Sequence, residues 1–241
     1  MTTCVCEGLM KGCPLCGGSG RVPCERCLGT RYVAVKEGEG YVHAPCSCSP
    51  KPRTPQQLDV GLPKGVANWT LANMRQDNPD LVAAKRVAVG ILAARKGWLF
   101  AHASPGRGKT YILCAMVRAA LDAGMTAMYR DTAPLLAELV EAMFDRHPSG
   151  LSYNAMMRVI TVTDVLCLDE FGVFNDTGQR LSALREILDN RADKAGWSIT
   201  AIATNSLPDE IEKRYPWLMS RLQDPEVREL LLENVPNLRA S

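Results

Sequence analysis

At 241 residues, 46% of them hydrophobic and 22% charged, the chain has room for a small module and one domain with its own core. The first 65 residues hold eight Lys or Arg against five Asp or Glu and the rest hold 20 against 21, a net charge of +2, so neither part is strongly basic or acidic. The opening MTTCVCEG has neither a basic stretch nor an apolar run, and nowhere do ~18 apolar residues follow one another, so the sequence reads as cytoplasmic, with no export signal and no membrane partner.

Eight of the ten cysteines fall before residue 49, in four pairs: Cys4/Cys6, Cys13/Cys16, Cys24/Cys27 and Cys46/Cys48. Zn²⁺ takes four thiolates at about 2.3 Å, and one CxC or CxxC turn supplies two sulfurs on a tight knuckle, so four pairs suit two zinc ions. In a reducing cytoplasm clustered thiols serve as metal ligands rather than crosslinks, and a redox CxxC would need a βαβ setting where these pairs stand among glycine-rich turns. Eight thiolates with two Zn²⁺ add about −4 to this part of the chain and bring it near neutrality, which favours a protein-binding or structural role over a finger that grips phosphates by charge. Cys13-Pro-Leu-Cys16-Gly-Gly-Ser-Gly20 resembles the CxxCxGxG repeat of DnaJ-type zinc domains in full. Cys24-Glu-Arg-Cys27-Leu-Gly29-Thr-Arg31 resembles it except at Arg31, and the outer pairs depart from it as CxC. That resemblance implies one zinc on Cys13, Cys16, Cys24 and Cys27 and the other on Cys4, Cys6, Cys46 and Cys48. A J-domain with its His-Pro-Asp signature is absent, His43 reads as a surface residue, and Tyr32 to Val42 is a hairpin candidate.

SPKPRTPQQLDVGLPKG, residues 49–65, has four prolines and little apolar periodicity and reads as a linker. The expected organisation is a cysteine-rich module over 1–50, a linker over 51–65 and a core-bearing domain over 66–241. In that domain GWLFAHA (97–103) suits a buried strand, and YILCAMVRAALDAG (111–124) follows with helical spacing up to Gly124. TAMYRD (126–131), DVLCLD (164–169) and SITAIAT (198–204) supply three more strands, flanked by helical TAPLLAELVEAMF (132–144) and GQRLSALREILDNRADK (178–194). This alternation predicts an α/β fold, a parallel sheet covered by helices on both faces.

Between the first strand and its helix lies Ala103-Ser-Pro-Gly106-Arg-Gly108-Lys109-Thr110, which departs from GxxxxGK[ST] only at Ala103. Gly106 and Gly108 let the backbone N–H groups turn inward around the phosphates of ATP, and the helix N-terminus faces the anion. Lys109 reaches the β and γ phosphates and the Thr110 hydroxyl ligates Mg²⁺. The expected nucleotide contacts are Ser104, Pro105, Gly106, Arg107, Gly108, Lys109, Thr110 and Tyr111. About sixty residues on, VLCLDEFG (165–172) ends an apolar strand in two acids. Asp169 is the expected second Mg²⁺ ligand, usually through water, and Glu170 the group that orients and polarises the attacking water. AIATN repeats the logic on the next strand, where Asn205 would position the water or sense the γ-phosphate.

As a set, VGLPKGVANWTLANM (60–74), SPGRGKT, VLCLDEFG, LREILDNRADKAGWSITAIATNSL (184–207) and LMSRL (218–222) resemble the AAA+ ATPases, and more closely the DnaC/IstB group that includes bacterial and phage helicase loaders. The resemblance covers residues 60 to about 239. It implies ATP hydrolysis, an adenine covered by the backbone near Val66 to Trp69, and an arginine finger at Arg221 that reaches a neighbour's ATP, hence self-association through the ATP sites. Trp217 stands where the group often has a second arginine, for which Arg214 is the substitute; a full helical lid with sensor 2 is missing, with Arg239 the stand-in. The function implied is an ATP-dependent loader in DNA replication that binds the hexameric replicative helicase and helps place it on single-stranded DNA, with the zinc module as docking arm. The alternative is an IstB-like transposition helper acting on duplex DNA and a transposase. Intact Lys109, Asp169 and Glu170 speak against a third class, a non-hydrolysing zinc-tethered binding protein, and the cysteine module, similar to that of some phage and Gram-positive loaders, favours the first class over the second.

Other residues take plainer readings. Cys114 and Cys167 are expected to be buried and inert. Met116, Met125, Met128, Met143, Met156 and Met157 are expected in the core, Trp69 in packing, and Arg130 and Arg191 in solvent or at an interface.

Overall fold

The computed structural model describes residues 60–147, 151–192, 198–222 and 227–238, with the backbone of four short amino-terminal strands. The latter are β1 (Thr2–Thr3) and β2 (Arg21–Val22), paired antiparallel, and β3 (Tyr32–Glu37) and β4 (Gly40–Pro45), paired antiparallel with Tyr32 opposite Pro45 and Glu37 opposite Gly40. The hairpin candidate is therefore a pair of strands that runs three residues past Val42. The eight cysteines expected to bind zinc lie outside the described residues.

The remaining elements are α1 (Pro79–Ala94), β5 (Gly97–His102), α2 (Lys109–Asp122), β6 (Ala127–Asp131), α3 (Thr132–Met143), α4 (Tyr153–Val162), β7 (Val165–Phe171), α5 (Gly178–Ala192), β8 (Ile199–Thr204), α6 (Pro208–Arg214), α7 (Pro216–Leu222) and β9 (Val227–Leu231). Five strands form one sheet in the order β6-β7-β8-β5-β9, every pairing parallel. Successive side chains of a strand point to opposite faces, and a sheet covered on both sides needs apolar residues at nearly every position. β5 and β8 are buried from end to end. Leu99, Ala101, Cys167 and Ala201 pack with α1 and α2 on one face, while Phe100, Met128, Leu166 and Ile202 pack with α3, α4 and α5 on the other. The expected α/β fold is what forms. Cys114, Cys167 and five of the six expected core methionines are buried, and Met143 packs partly exposed against the second face. Among the described residues no helix is long and apolar enough to cross a membrane.

Several elements go beyond the sequence expectation, among them α1, α4 and β9. In α1 the Asn78 side chain caps the helix, its Oδ1 accepting from the amides of Asp80 at 2.9 Å and Leu81 at 3.4 Å, with proline in the first turn. α4 starts at the Ser152 cap, and β9 is an edge strand with only Leu230 buried, a pattern too short to signal itself.

Two expectations are corrected. The linker ends earlier than residue 65: Val60 is fully buried in the core, and its carbonyl accepts the Tyr129 amide at 2.8 Å. Gly61 follows at φ +82°, where a Cβ would lie 2.0 Å from the Tyr129 carbonyl oxygen, so the chain is laid directly against β6. The core-bearing domain thus includes Val60 rather than beginning at residue 66. Arg191, expected in solvent or at an interface, is fully buried. Its guanidinium donates to the carbonyls of Ile160 (3.0 Å), Thr163 (2.7 Å) and Ile199 (2.6 Å) and to Thr200 Oγ1 (2.9 Å). The end of a helix leaves carbonyls without partners, and here one cation collects those of α4 together with the entry to β8. Burial pulls the Arg191 pKa down to about 10, which leaves it charged at neutral pH.

Arg191→Met keeps the length of the side chain but strands these carbonyls in the core, so it should cost about 3 kcal/mol or more. Chemical denaturation of the full chain checks this; a loss below about 1 kcal/mol would show that the carbonyls find other donors.

Candidate nucleotide site

The loop after β5 turns back on itself through two left-handed glycines, Gly106 at φ +81° and Gly108 at φ +91°. Gly108 is also the N-cap of α2, and having no side chain it offers no cap of its own, so the amides of the first turn are left to whatever anion approaches. Lys109 is nearly buried, and its Nζ donates to the carbonyls of Ala103 at 2.5 Å and Ser104 at 3.0 Å. The ammonium thus sits inside the curl of the loop, holding its first residues in place.

A cleft of about 360 Å³ opens in front of this loop. Pro105, Gly106, Arg107, Gly108, Lys109, Thr110 and Tyr111 line it, and across from them stand Asp169, Glu170 and Asn205. Of the expected nucleotide contacts Ser104 alone lies outside the lining: its amide and hydroxyl donate instead to the Glu233 carboxylate, at 2.9 and 3.0 Å. Trp69 and Tyr111 stack with ring centroids 5.3 Å apart, and both line the cleft. Trp69 therefore packs, as expected, but also forms a wall. The Tyr111 hydroxyl donates to the Thr70 carbonyl at 2.9 Å, which ties the segment before α1 to the loop helix.

The two acids at the end of β7 have opposite environments. Asp169 is buried: its Oδ1 accepts the Glu170 amide at 2.8 Å, its Oδ2 the Tyr129 hydroxyl at 2.8 Å, and its carbonyl the Thr132 hydroxyl at 2.7 Å. Glu170 is exposed and sits at φ +50°, in a bulge that shifts the register of β7 on β8 between Leu168 and Phe171. A left-handed glutamate costs about 1 kcal/mol or more, and bulges of this kind re-aim one side chain out of the sheet. Burial first, then the Asp169 carboxylate, push the Tyr129 phenol well above its ordinary range, so it stays a proton donor.

The backbone of Arg221 lies in α7, while its side chain is outside the described residues, as is Arg239. Arg214, the expected substitute for a second inter-subunit arginine, is engaged within its own chain. It donates to Asp176 Oδ2 at 2.6 Å and to the carbonyls of Gly172 and Phe174, bracing the segment that follows β7.

Sequence reasoning missed the segment after β9, which packs against the phosphate loop. The Leu238 amide donates to the Gly106 carbonyl at 2.9 Å, Arg107 donates to the Val235 carbonyl, and Leu238 lines the cleft. A Cβ on Gly106 would lie 2.2 Å from Asn237 Oδ1. The hydrogen bonds from Ser104 hold the Glu233 carboxyl below its usual range. Nothing local in ELLLENVPNL marks these contacts, because each joins residues more than a hundred positions apart.

Residues 94–210, just under half of the chain, match the profile of the family described as IstB-like ATP binding protein. No curated protein matches the sequence. Among solved structures, the AMPPCP-bound DnaA of Aquifex aeolicus superposes with a TM-score of 0.59 at 20% identity, over 74% of this chain and 53% of that one. The chain spans about half the length of the two AMPPCP-bound DnaA structures and of a DNA replication initiation factor that it matches first. The DnaC helicase loader superposes at 0.55 with 19% identity over 71% of this chain and 100% of that one, and DnaI at 0.55 with 19% identity over 68% and 90%. At these identities the likeness speaks for the fold. With its phosphate loop and acidic strand end inside the matched segment, the core-bearing domain is similar to the IstB-like ATP binding proteins and shares the P-loop α/β fold of the DnaC and DnaA structures.

Proposed function

We propose that the chain is an ATP-driven helicase loader, which binds a hexameric replicative helicase and helps place it on single-stranded DNA. The observation that carries the motor half of this reading is the single cleft in which the phosphate loop faces Asp169, Glu170 and Asn205. The loader half is supported by the similarity of fold to DnaC over that structure's whole length and to DnaI, and by the cysteine-rich segment before residue 49.

In this reading the amides from Gly106 to Thr110 cradle the phosphates, and Lys109 exchanges the carbonyls of Ala103 and Ser104 for β and γ oxygens. Thr110 and Asp169 both line the cleft and together fit a Mg²⁺ ion, which when bound neutralises charge on the β and γ phosphates. Glu170, turned out of the sheet by its bulge, orients and polarises the attacking water, with Asn205 beside it at the end of β8. Trp69 and Tyr111 offer the base an aromatic wall. Arg221 reaches the ATP of a neighbouring chain, so that hydrolysis depends on self-association. The eight amino-terminal cysteines hold two zinc ions in a docking module over residues 1–50, joined through a linker to the ATPase domain in the cytoplasm.

A second reading is favoured by the family match itself: a transposition helper of the IstB kind, with the same motor acting on duplex DNA and a transposase.

Lys109→Ala should remove nucleotide binding, whereas Glu170→Gln should keep it and lose turnover by about 10²- to 10⁴-fold, because the lysine meets ground-state phosphates and the glutamate acts on the water. Equilibrium binding of a fluorescent ATP analogue beside steady-state phosphate release separates the two; wild-type turnover by Glu170→Gln would remove Glu170 from the mechanism. Glu170→Gln protein held in ATP should co-elute with the replicative helicase of its source and carry two zinc ions per chain by elemental analysis. Co-elution with a transposase instead would install the second reading, and one zinc or none would end the paired-site assignment.

A further inference from the structure

The parallel register of β6 on β7 sets Tyr129 beside Cys167 and Asp131 beside Asp169, which brings a phenol and two carboxylates onto one face of adjacent strands. The Tyr129 oxygen lies 2.8 Å from Asp169 Oδ2 and 3.0 Å from Asp131 Oδ1. A phenol has one proton to donate, so the two carboxylates compete for it. Asp131 is exposed and has water as a substitute donor, while Asp169 is buried and depends on the phenol. The other oxygen of Asp169 is held by the amide of Glu170. Both carboxylate oxygens are thus fixed in direction, one by the backbone of the water-orienting acid and the other by Tyr129.

We propose that Tyr129 is a positioning residue for the divalent cation: its hydroxyl locks the rotamer of Asp169 and thereby sets the Mg²⁺ concentration at which the site works. The inference rests on the assignment of Asp169 as a Mg²⁺ ligand. A group that orients a metal-binding carboxylate acts on metal affinity more than on the chemical step, and loss of such a partner typically weakens binding by about 10- to 100-fold.

Tyr129→Phe keeps the ring and removes only the hydroxyl. In this variant the Mg²⁺ midpoint for binding of a fluorescent ATP analogue should rise about tenfold, and Mn²⁺ binding followed by electron paramagnetic resonance should weaken in parallel. Nucleotide affinity in EDTA should stay unchanged, and turnover at saturating Mg²⁺ should recover to near the wild-type rate. A purely structural role would lower the melting temperature and leave the midpoint in place. Asp131→Asn supplies a second test that does not depend on the folding of the first variant: its amide donates to the phenol oxygen and leaves the phenol proton to Asp169, so the midpoint should hold or fall. A tenfold rise there would overturn the proposal in favour of simple loss of negative charge. An unchanged midpoint in Tyr129→Phe, with Asp169→Asn shifting it, overturns the role of Tyr129. If Asp169→Asn itself leaves the midpoint in place, the Mg²⁺ assignment falls and the proposal with it.

Discussion

The cleft depends on the parallel alignment of β6, β7, β8 and β5. In a parallel sheet every strand delivers its carboxyl end to the same edge, and ligands of open α/β sheets bind in the crevice outside those ends. Here the strand ends align in spite of the bulge in β7: Asp131 lies opposite Asp169, Phe171 opposite Thr204, and Thr204 opposite His102, so four strands finish at one edge. The loop after β5, the two acids of β7 and the asparagine after β8 meet because of this arrangement. Each segment contributes its own residues to the cleft, and no segment lines it alone.

That division explains what could be read from the sequence. The phosphate loop was legible because its glycines, lysine and threonine are contiguous and must be so, since one turn of backbone has to wrap one anion. The placement of Asp169 and Glu170 at the cleft was legible because two acids at the end of an apolar strand are carried to the carboxyl edge of the sheet. Arg191, Tyr129 and Glu233 carried no comparable signal. Each is defined by partners far along the chain: Arg191 by carbonyls at the end of α4 and the start of β8, Tyr129 by Asp169, and Glu233 by Ser104. An arginine at the end of an amphipathic helix looks alike whether it faces water or plugs the core. The early boundary at Val60 escaped for a related reason: a proline-rich stretch with little periodicity still docks when one valine finds a pocket beside β6.

The energetic design contrasts a stiff frame with a strained edge. The faces of the sheet are filled with aliphatic and aromatic side chains, and the buried Arg191 guanidinium is satisfied by backbone carbonyls and the Thr200 hydroxyl. At the rim the chain accepts left-handed backbone at Gly106, Gly108 and Glu170. The two glycines adopt it without steric penalty, and the glutamate does not. Such a conformation persists only where its surroundings over-determine it. The amide of Glu170 is held by the Asp169 carboxylate and its carbonyl by the Val173 amide at 3.2 Å, so the bulge is pinned on both sides.

The segment after β9 adds a constraint on how the loop can respond to a ligand. Leu238 holds the carbonyl of Gly106, Glu233 holds the amide and hydroxyl of Ser104, and Val235 holds the Arg107 guanidinium. These contacts engage the outer side of the loop and leave the first-turn amides of α2 to the cleft. A loop fixed from behind loses less conformational entropy when it closes around phosphates, which is the usual route by which preorganisation raises affinity. The same contacts connect the loop to β9, whose pairing with β5 runs from Trp98 to His102. A displacement of Gly106 by a bound phosphate is therefore resisted by the edge of the sheet, and any change that lifts β9 from β5 loosens the phosphate loop without touching a residue of its motif.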